Sequence, residues 1–132
     1  MIPIFVEKLL KGEAPTIFGD GLQTRDFTHI DNVVDANLKA CAASADANGK
    51  VFNIAYGTPS TLNELYAMIV DVLEKSIKPI YAAEREGDIK HSVADISQAI
   101  HTLAYHPKVA LIDGLRKSIT WYQKNQQVTN TE

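Results

Sequence analysis

The stretch GDGLQTRDFTHIDN, residues 19–32, combines turn, strand and helix-start signals in one short segment. Asp20 lies between two glycines, a composition typical of a tight turn. Residues 16–18 before the turn and 25–30 after it favour extended structure, so we predict two short strands around the turn. Asp31 then precedes a helical pattern, and it is predicted to cap a helix that runs to about residue 43.

The segments on either side predict further helices. Pro3 suits a first helical turn and Gly12 a helix end, which predicts a helix over the N-terminal residues. Thr61 and Glu64 have the spacing of a capping box, in which each side chain bonds an orphan backbone N–H. Apolar residues recur at helical intervals from there to Leu73, so the sequence predicts one amphipathic helix in this region.

The remaining segments complete a mixed fold. Residues 51–55 and 78–83 are short apolar runs predicted as strands, and residues 46–50 are predicted as a turn. Residues 84–95 are polar and irregular, Asp95 is predicted to cap a short helix, and apolar spacing after residue 110 predicts a C-terminal helix. We therefore predict an α/β class: a small mixed domain of about four to five helices with short strands over residues 1–123. Residues 124–132 are predicted to form a frayed polar tail.

Composition excludes several classes of function. The chain has 132 residues, enough for one domain, and a formal net charge of −3, which argues against a nucleic-acid partner. No stretch approaches the roughly 18 apolar residues of a membrane span, and the first residues do not resemble a signal peptide. We therefore expect no membrane partner. The single cysteine, Cys41, cannot build a disulfide framework, and it fits a reducing, cytoplasmic location.

Three charged residues are candidates for anion binding. Arg25 begins the second predicted strand, where it is either a solvated surface charge or a phosphate ligand, since a guanidinium donates two parallel hydrogen bonds. Arg85 and Asp88 lie around a glycine in the polar segment 84–95. This loop is either an ordinary charged turn or a site that presents a cation to a phosphate and a carboxylate to sugar hydroxyls.

Other residue types point to fewer functions. Ile17 and Phe18 fit a core strand, although Phe18, next to a glycine, could instead lie against a ring in a cleft. The four histidines lack the spacing of a metal site, so no metal is expected. No glycine-rich turn joins a strand to a helix, and no Tyr-x-x-x-Lys pair is present. We therefore assign no catalytic and no cofactor-binding residue to this chain.

The order of four segments carries a family resemblance. These segments are IPIFVEKLLKGEAPTIFGDGLQTRDFTHIDNVVDANLKA, VFNIAYGTPSTLNEL, EREGDIKHSVADISQA and LAYHPKVALIDGLRKSITWY. Together they resemble the C-terminal, substrate-binding part of the NAD-dependent nucleotide-sugar epimerases and dehydratases, in the extended short-chain dehydrogenase/reductase group. UDP-glucose and UDP-N-acetylglucosamine 4-epimerases are the most similar type. The resemblance covers about residues 2–123 and implies the C-terminal part of a Rossmann-type sugar epimerase without its dinucleotide-binding half.

The resemblance implies roles for six residues. Arg25 in the RDF motif and Arg85 in the RxGD motif would contact the diphosphate of a UDP-sugar, and Asp88 would accept from the ribose hydroxyls. The strand Thr16, Ile17 and Phe18 would lie along the nucleotide base. Nothing in these motifs identifies the sugar.

The resemblance also implies what lies outside this sequence. In the complete family enzyme a separate half binds NAD and supplies the tyrosine that acts as general acid and base. We therefore expect that this chain alone cannot perform the redox step, and that a separate dinucleotide-binding half is a candidate partner. One alternative is a non-catalytic remnant or protein-interaction module, which would self-associate through an exposed apolar face. Another is the substrate half of a nucleotide-sugar dehydratase or decarboxylase.

Overall fold

The computed structural model describes the backbone of residues 1–129 and the side chains of residues 1–125. Its helices are α1 (Ile2–Leu10), α2 (Ile30–Cys41), α3 (Leu62–Val72), α4 (Ser97–Leu103) and α5 (Leu111–Thr129). Its strands are β1 (Thr16–Phe18), β2 (Thr24–Arg25), β3 (Ser60–Thr61) and β4 (Ile80–Ala82). The predicted α/β class, with five helices and short strands, is confirmed. The predicted polar tail begins within α5, and its residues 130–132 lie outside the described residues.

Two apolar clusters form the interior. In the larger one, α1, α3 and α5 pack together with Ile17 of β1, and the ring edge of Phe5 meets Tyr66 with centroids 5.9 Å apart. The smaller cluster joins α2 to α4 through Ala36, Ala99 and Leu103. β1 belongs to the larger cluster on one side only, so its other side is available to a site.

The strands pair differently from the predicted arrangement of two runs around a turn. β1 pairs in parallel with β4, whereas β2 pairs antiparallel with β3, so the two runs belong to separate two-stranded sheets. The second run is also shorter than predicted, because residues 26–29 form no strand. The carboxylate of Asp26 instead accepts hydrogen bonds from the backbone N–H groups of Tyr56 and Gly57, at 3.1 and 3.0 Å. These bonds direct the chain away from the strand.

The predicted strand at residues 51–55 is also wrong. This segment is irregular in the structure, and Phe52 and Ile54 pack against the smaller cluster. The Tyr105 hydroxyl donates to the carbonyl of Ala55 at 2.8 Å, which satisfies a backbone group that a sheet would otherwise bond. Burial raises the pKa of this tyrosine.

Of the three predicted cap residues, Thr61 is confirmed, and Asp31 and Asp95 lie beside the cap position. The capping box is present at α3: Glu64 N–H donates to Thr61 Oγ1 at 3.1 Å, and Thr61 N–H donates to Glu64 Oε2 at 2.8 Å. At α4 the cap position is occupied by Ile96 and not by the predicted Asp95, although the Ser97 N–H donates to the carboxylate of Asp95 at 2.9 Å. At α2 the cap is His29 and not Asp31. Asp31 lies in the first turn, and its carboxylate accepts from Lys117 of α5 at 2.6 Å.

Candidate functional site

The loop after β4 is held against β2 by Arg25. Its Nη2 lies 2.5 Å from Asp88 Oδ1, and its Nη1 donates to the carbonyl of Ile89 at 2.6 Å. The same Nη1 donates to the carbonyl of Thr24 at 2.7 Å. The structure therefore brings Arg25 and Asp88 together across 63 residues of sequence. Their side chains are 27% and 35% exposed, so this ion pair is partly desolvated.

Backbone bonds fix the same loop. Thr24 N–H donates to the carbonyl of Lys90 at 2.8 Å, and Ser92 N–H donates to the carbonyl of Thr24 at 3.3 Å. A parallel bridge pairs Thr24 with His91. Residues 88–92 are thus attached to β2 by both main-chain and side-chain groups, which sets where Arg85 and Asp88 can reach.

Arg85 lies on the aromatic ring of Phe18. Its guanidinium carbon is 3.8 Å from the ring centroid, a cation–π geometry. Within residues 1–125, Arg85 forms no ion pair and its guanidinium donates no hydrogen bond. Its donors are therefore available to an anion, whereas Arg25 already uses three of its five N–H groups.

β1 presents alternate residues to the site. Ile17 is 0% exposed and lies in the larger cluster, whereas Thr16 and Phe18 point to the opposite side. Pro15 accepts from Ile80, and Gly19 donates to Ala82, so the odd-numbered residues of this segment bond β4. The backbone of Thr16 and Phe18 therefore faces the open edge of the strand. The structure does not place Ile17 at the site, because its side chain is in the core.

Gln23 forms a hydrogen bond with the backbone of Phe18. Its side-chain Nε2 donates to the carbonyl of Phe18 at 2.6 Å, and the residue is 9% exposed. Its Oε1 is buried and has no partner among the described residues. Sequence reasoning missed this residue, since a polar residue between a turn and a strand gives no signal of burial.

Two cavities meet at these residues. One, of about 250 Å³, lies between the turn 19–23 and the loop 84–91. The other, of about 520 Å³, lies between α1 and the loop 85–88. Phe18, Gln23, Arg85 and Asp88 line both cavities, so the stacked Arg85 and Phe18 separate them. Arg25 instead lines a neighbouring cleft with Met1.

The carboxyl groups with a lowered pKa are those of Asp31, Asp35, Glu64 and Asp95, and none of them lines these cavities. The backbone N–H of Thr61 lowers the pKa of Glu64, and the hydrogen bond from Lys117 lowers that of Asp31. Within the described residues, no three His, Cys, Asp or Glu side chains are grouped to hold a metal ion. None of the helices described is long and apolar enough to cross a membrane. The cavities present the ring of Phe18, the open edge of β1 and the guanidinium group of Arg85, which are groups that can bind a ligand.

Comparison with known proteins gives the family. The model of the NAD dependent epimerase/dehydratase family matches residues 1–55. UDP-glucose 4-epimerase of Mycolicibacterium smegmatis is 33% identical over 96% of this chain and 40% of its own length. The relatives also include dTDP-glucose 4,6-dehydratases. The chain spans about 40% of the length of the curated relatives it matches.

Comparison with solved structures indicates the same family. UDP-glucose 4-epimerase of Thermotoga maritima with UDP-glucose superimposes with a TM-score of 0.88 at 35% identity, over 95% of this chain and 40% of that one. UDP-glucuronic acid 4-epimerase of Bacillus cereus, in complex with UDP-glucuronic acid and NAD, gives 0.87 at 31% identity, over 94% and 40%. This chain is therefore related to the NAD-dependent nucleotide-sugar epimerases and dehydratases. The resemblance to their C-terminal part, predicted from the sequence, is confirmed.

Proposed function

We propose that this chain is the substrate-binding part of an NAD-dependent UDP-sugar 4-epimerase, and that it holds the nucleotide diphosphate. One observation carries the proposal: Arg85, free of ion pairs among residues 1–125, and Asp88, paired with Arg25 of β2, lie on one loop beside the open edge of β1. A nucleoside diphosphate needs cations, an acceptor for its sugar hydroxyls and a surface for its base. The same small region offers all three.

Each part of the nucleotide has a proposed contact. The base lies along β1, where Thr16 offers backbone groups and Phe18 offers its N–H and its aromatic face, since the Phe18 carbonyl already accepts from Gln23. Asp88 accepts from the ribose hydroxyls, and Arg85 and Arg25 bind the diphosphate. Since Ile17 is fully buried, its contribution is to hold the strand and not to touch the base.

Relatives of known structure bind NAD, but the described residues of this chain do not fit a dinucleotide. A dinucleotide pyrophosphate binds where a strand leads through a glycine-rich turn into a helix. In residues 1–129, β3 leads directly into α3, residues 26–29 between β2 and α2 contain no glycine, and residues 83–96 between β4 and α4 contain only Gly87. We therefore assign no cofactor contact to this chain and no redox step to its residues alone.

The test is a calorimetric or NMR titration of the chain with UDP and UDP-N-acetylglucosamine, with GDP and dTDP as comparisons. We expect saturable, UDP-selective binding, weakened about tenfold in Arg85→Gln because a charge-assisted hydrogen bond is lost. The matched control is Arg116→Gln, an exposed arginine on α5 outside both cavities. Equal binding by the Arg85 variant and the control would contradict the assigned site. No binding by the unaltered chain would contradict nucleotide binding by this chain alone.

The alternatives for the reaction are 4,6-dehydration, since dTDP-glucose 4,6-dehydratases are among the relatives, and decarboxylation. The residues of this chain proposed to bind the diphosphate serve each of these reactions alike. The proposed nucleotide site therefore does not depend on which reaction follows. We also propose a cytoplasmic location, which agrees with the single free cysteine, Cys41.

A second proposal concerns a partner, and it rests on α2. Ile30, Val34 and Leu38 recur every fourth residue along this helix and are 63%, 49% and 67% exposed. Such an apolar stripe is typical of a face that packs on another surface. We propose that the dinucleotide-binding half of the enzyme covers it, because the relatives are about two and a half times as long as this chain and belong to an NAD-dependent family.

Analytical ultracentrifugation tests this face. We expect the chain without its partner to self-associate as its concentration rises, and Leu38→Glu to remain monomeric. Val51→Glu is the control, since this residue is 86% exposed and lies outside the stripe. A monomer at every concentration, or the same association in both variants, would contradict the proposal.

A further inference from the structure

Lys8 of α1 faces the larger cavity, and neither the motifs nor the proposed contacts give it a role. Positions 1, 4, 5 and 8 share one face of a helix, and Met1, Ile4, Phe5 and Lys8 together line this cavity. The first three are apolar. Lys8 is therefore the polar group that α1 contributes to the wall opposite Thr16 and Phe18.

The ammonium group of Lys8 has no partner in the described part of the chain. It forms no hydrogen bond and no ion pair with residues 1–125, and the residue is half-buried. A lysine ammonium carries three N–H donors, and those of Lys8 are available to an acceptor that enters the cavity. The charges of the cavity agree: Lys8 and Arg85 face Glu86 and Asp88, but Asp88 is already matched by Arg25. One positive charge is left over.

The position of Lys8 along α1 decides which part of a nucleotide it would meet. Met1 also lines the neighbouring cleft that contains Arg25, so the start of α1 is the end of the helix nearer to Arg25. Lys8 is seven residues further along, about 10 Å away at the helical rise per residue. The phosphates and the base are at opposite ends of a nucleoside diphosphate. If Arg25 meets the phosphates, Lys8 lies at the base end.

We propose that Lys8 donates a hydrogen bond to an acceptor atom of the nucleotide base, a carbonyl oxygen in the case of uracil. This inference rests on the proposed nucleotide site and adds to it a residue that selects the base. A donor at this position favours a base that presents an acceptor there and disfavours one that presents an amino group.

The experiment separates the two ends of the ligand. Binding of UDP, uridine and inorganic pyrophosphate is measured by NMR titration of the unaltered chain, Lys8→Met and Lys11→Met. Lys11 is the matched control, because it is an exposed lysine at the end of α1 and lines neither cavity. We expect Lys8→Met to weaken the binding of UDP and of uridine about tenfold and to leave the binding of pyrophosphate unchanged. Lys8→Arg, which keeps a donor, should retain most of the affinity.

Two results would overturn the inference. Equal UDP affinity in Lys8→Met and Lys11→Met would show that Lys8 does not touch the ligand. Weaker pyrophosphate binding with unchanged uridine binding would place Lys8 at the phosphates. In both cases the unaltered chain still binds UDP, so the proposed function survives. Failure of the unaltered chain to bind UDP would instead reject the proposed function, and this inference with it.

Discussion

Gly21 lies in the turn that forms one side of the smaller cavity, and its replacement by alanine tests how that turn is held. Its φ is +76°, and an added Cβ would lie 2.0 Å from Asn63 Oδ1 at the start of α3. No real Cβ approaches an atom so closely, so the Asn63 side chain would have to move. That side chain donates to the carbonyl of Asp20 at 3.0 Å and accepts from the Tyr81 hydroxyl at 2.9 Å.

The expected loss of stability has two parts. A non-glycine residue at positive φ costs about 1–2 kcal/mol, partly offset by about 0.4–1 kcal/mol because alanine restricts the unfolded chain. Displacement of Asn63 breaks two hydrogen bonds worth about 1 kcal/mol each. Gly21→Ala should therefore lower the free energy of unfolding by about 3 kcal/mol.

Urea denaturation followed by circular dichroism measures this, with Gly49→Ala as the matched control. Gly49 also has positive φ, +70°, but an added Cβ would meet no atom within 4 Å. Its replacement should cost about 1 kcal/mol, the backbone part alone. A second check uses Asn63→Ala, because in that background Gly21→Ala should also cost only about 1 kcal/mol. If Gly21→Ala costs no more than Gly49→Ala in the unaltered chain, the contact with Asn63 is not what requires glycine here.

Three further predictions concern stability. Asp26→Asn removes a charged acceptor of backbone N–H bonds and should lower the free energy of unfolding by about 2 kcal/mol in urea titrations; an unchanged midpoint would contradict this role. Thr61→Ala should cost about 1 kcal/mol by loss of the α3 cap, and Thr61→Ser should cost much less, measured by thermal unfolding. Hydrogen bonds from lysines lower the pKa values of Asp31 and Asp35 in the folded chain. The contribution of these two carboxylates to the stability of the folded chain is therefore complete above their unfolded pKa near 4, and it is lost as pH falls through their folded pKa values. Unfolding free energy should therefore decrease between about pH 5 and pH 3, and a flat profile would contradict these pairs.

Local signals predicted the helices well because their causes are local. The capping box at Thr61 needs only residues three apart, and the N-terminal helix follows from a proline at its start and a glycine after its end. The cap of α2 differs from the prediction because of a residue that is distant in sequence. Asp is a more common cap residue than His, but the carboxylate of Asp31 accepts a hydrogen bond from Lys117 of α5, and His29 caps the helix.

Strand partners could not be predicted, because pairing here depends on residues far apart in sequence. β1 pairs with β4, whose register joins Thr16 to Ile80, and the turn after β1 resembles a hairpin turn without forming one. β2 and β3 have two residues each, too short for any periodic pattern. Residues 51–55 have a strand-like composition, but Phe52 and Ile54 pack against the cluster of α2 and α4 instead of a sheet, and Val51 is exposed.

The candidate site was predicted in its residue types and not in its contacts. Family motifs indicated Arg25 and Asp88, but their ion pair joins elements that only the folded chain brings together. The alternation of side chains along a strand would have placed Ile17 away from Thr16 and Phe18. The helical row that contains Phe5 and Lys8 likewise carries a signal, since a lysine there shares a face with a core residue.

The paired state of Arg25 leads to a last prediction. Its Nη1 donates to two carbonyls and its Nη2 to Asp88. Arg25→Ala would therefore release the loop and also remove a cation. A loss of binding in that variant would not show which of these two changes caused it. Asp88→Asn keeps a hydrogen-bond acceptor and removes only the negative charge. If Arg25 binds the diphosphate, this change should raise pyrophosphate affinity about twofold to fivefold, the range for a partly exposed ion pair. It should also weaken the binding of uridine, because a neutral amide oxygen accepts hydrogen bonds from ribose hydroxyls less strongly than a carboxylate does. Unchanged affinity for pyrophosphate in NMR titrations would mean that Arg25 serves only to hold the loop, and that Arg85 alone meets the phosphates.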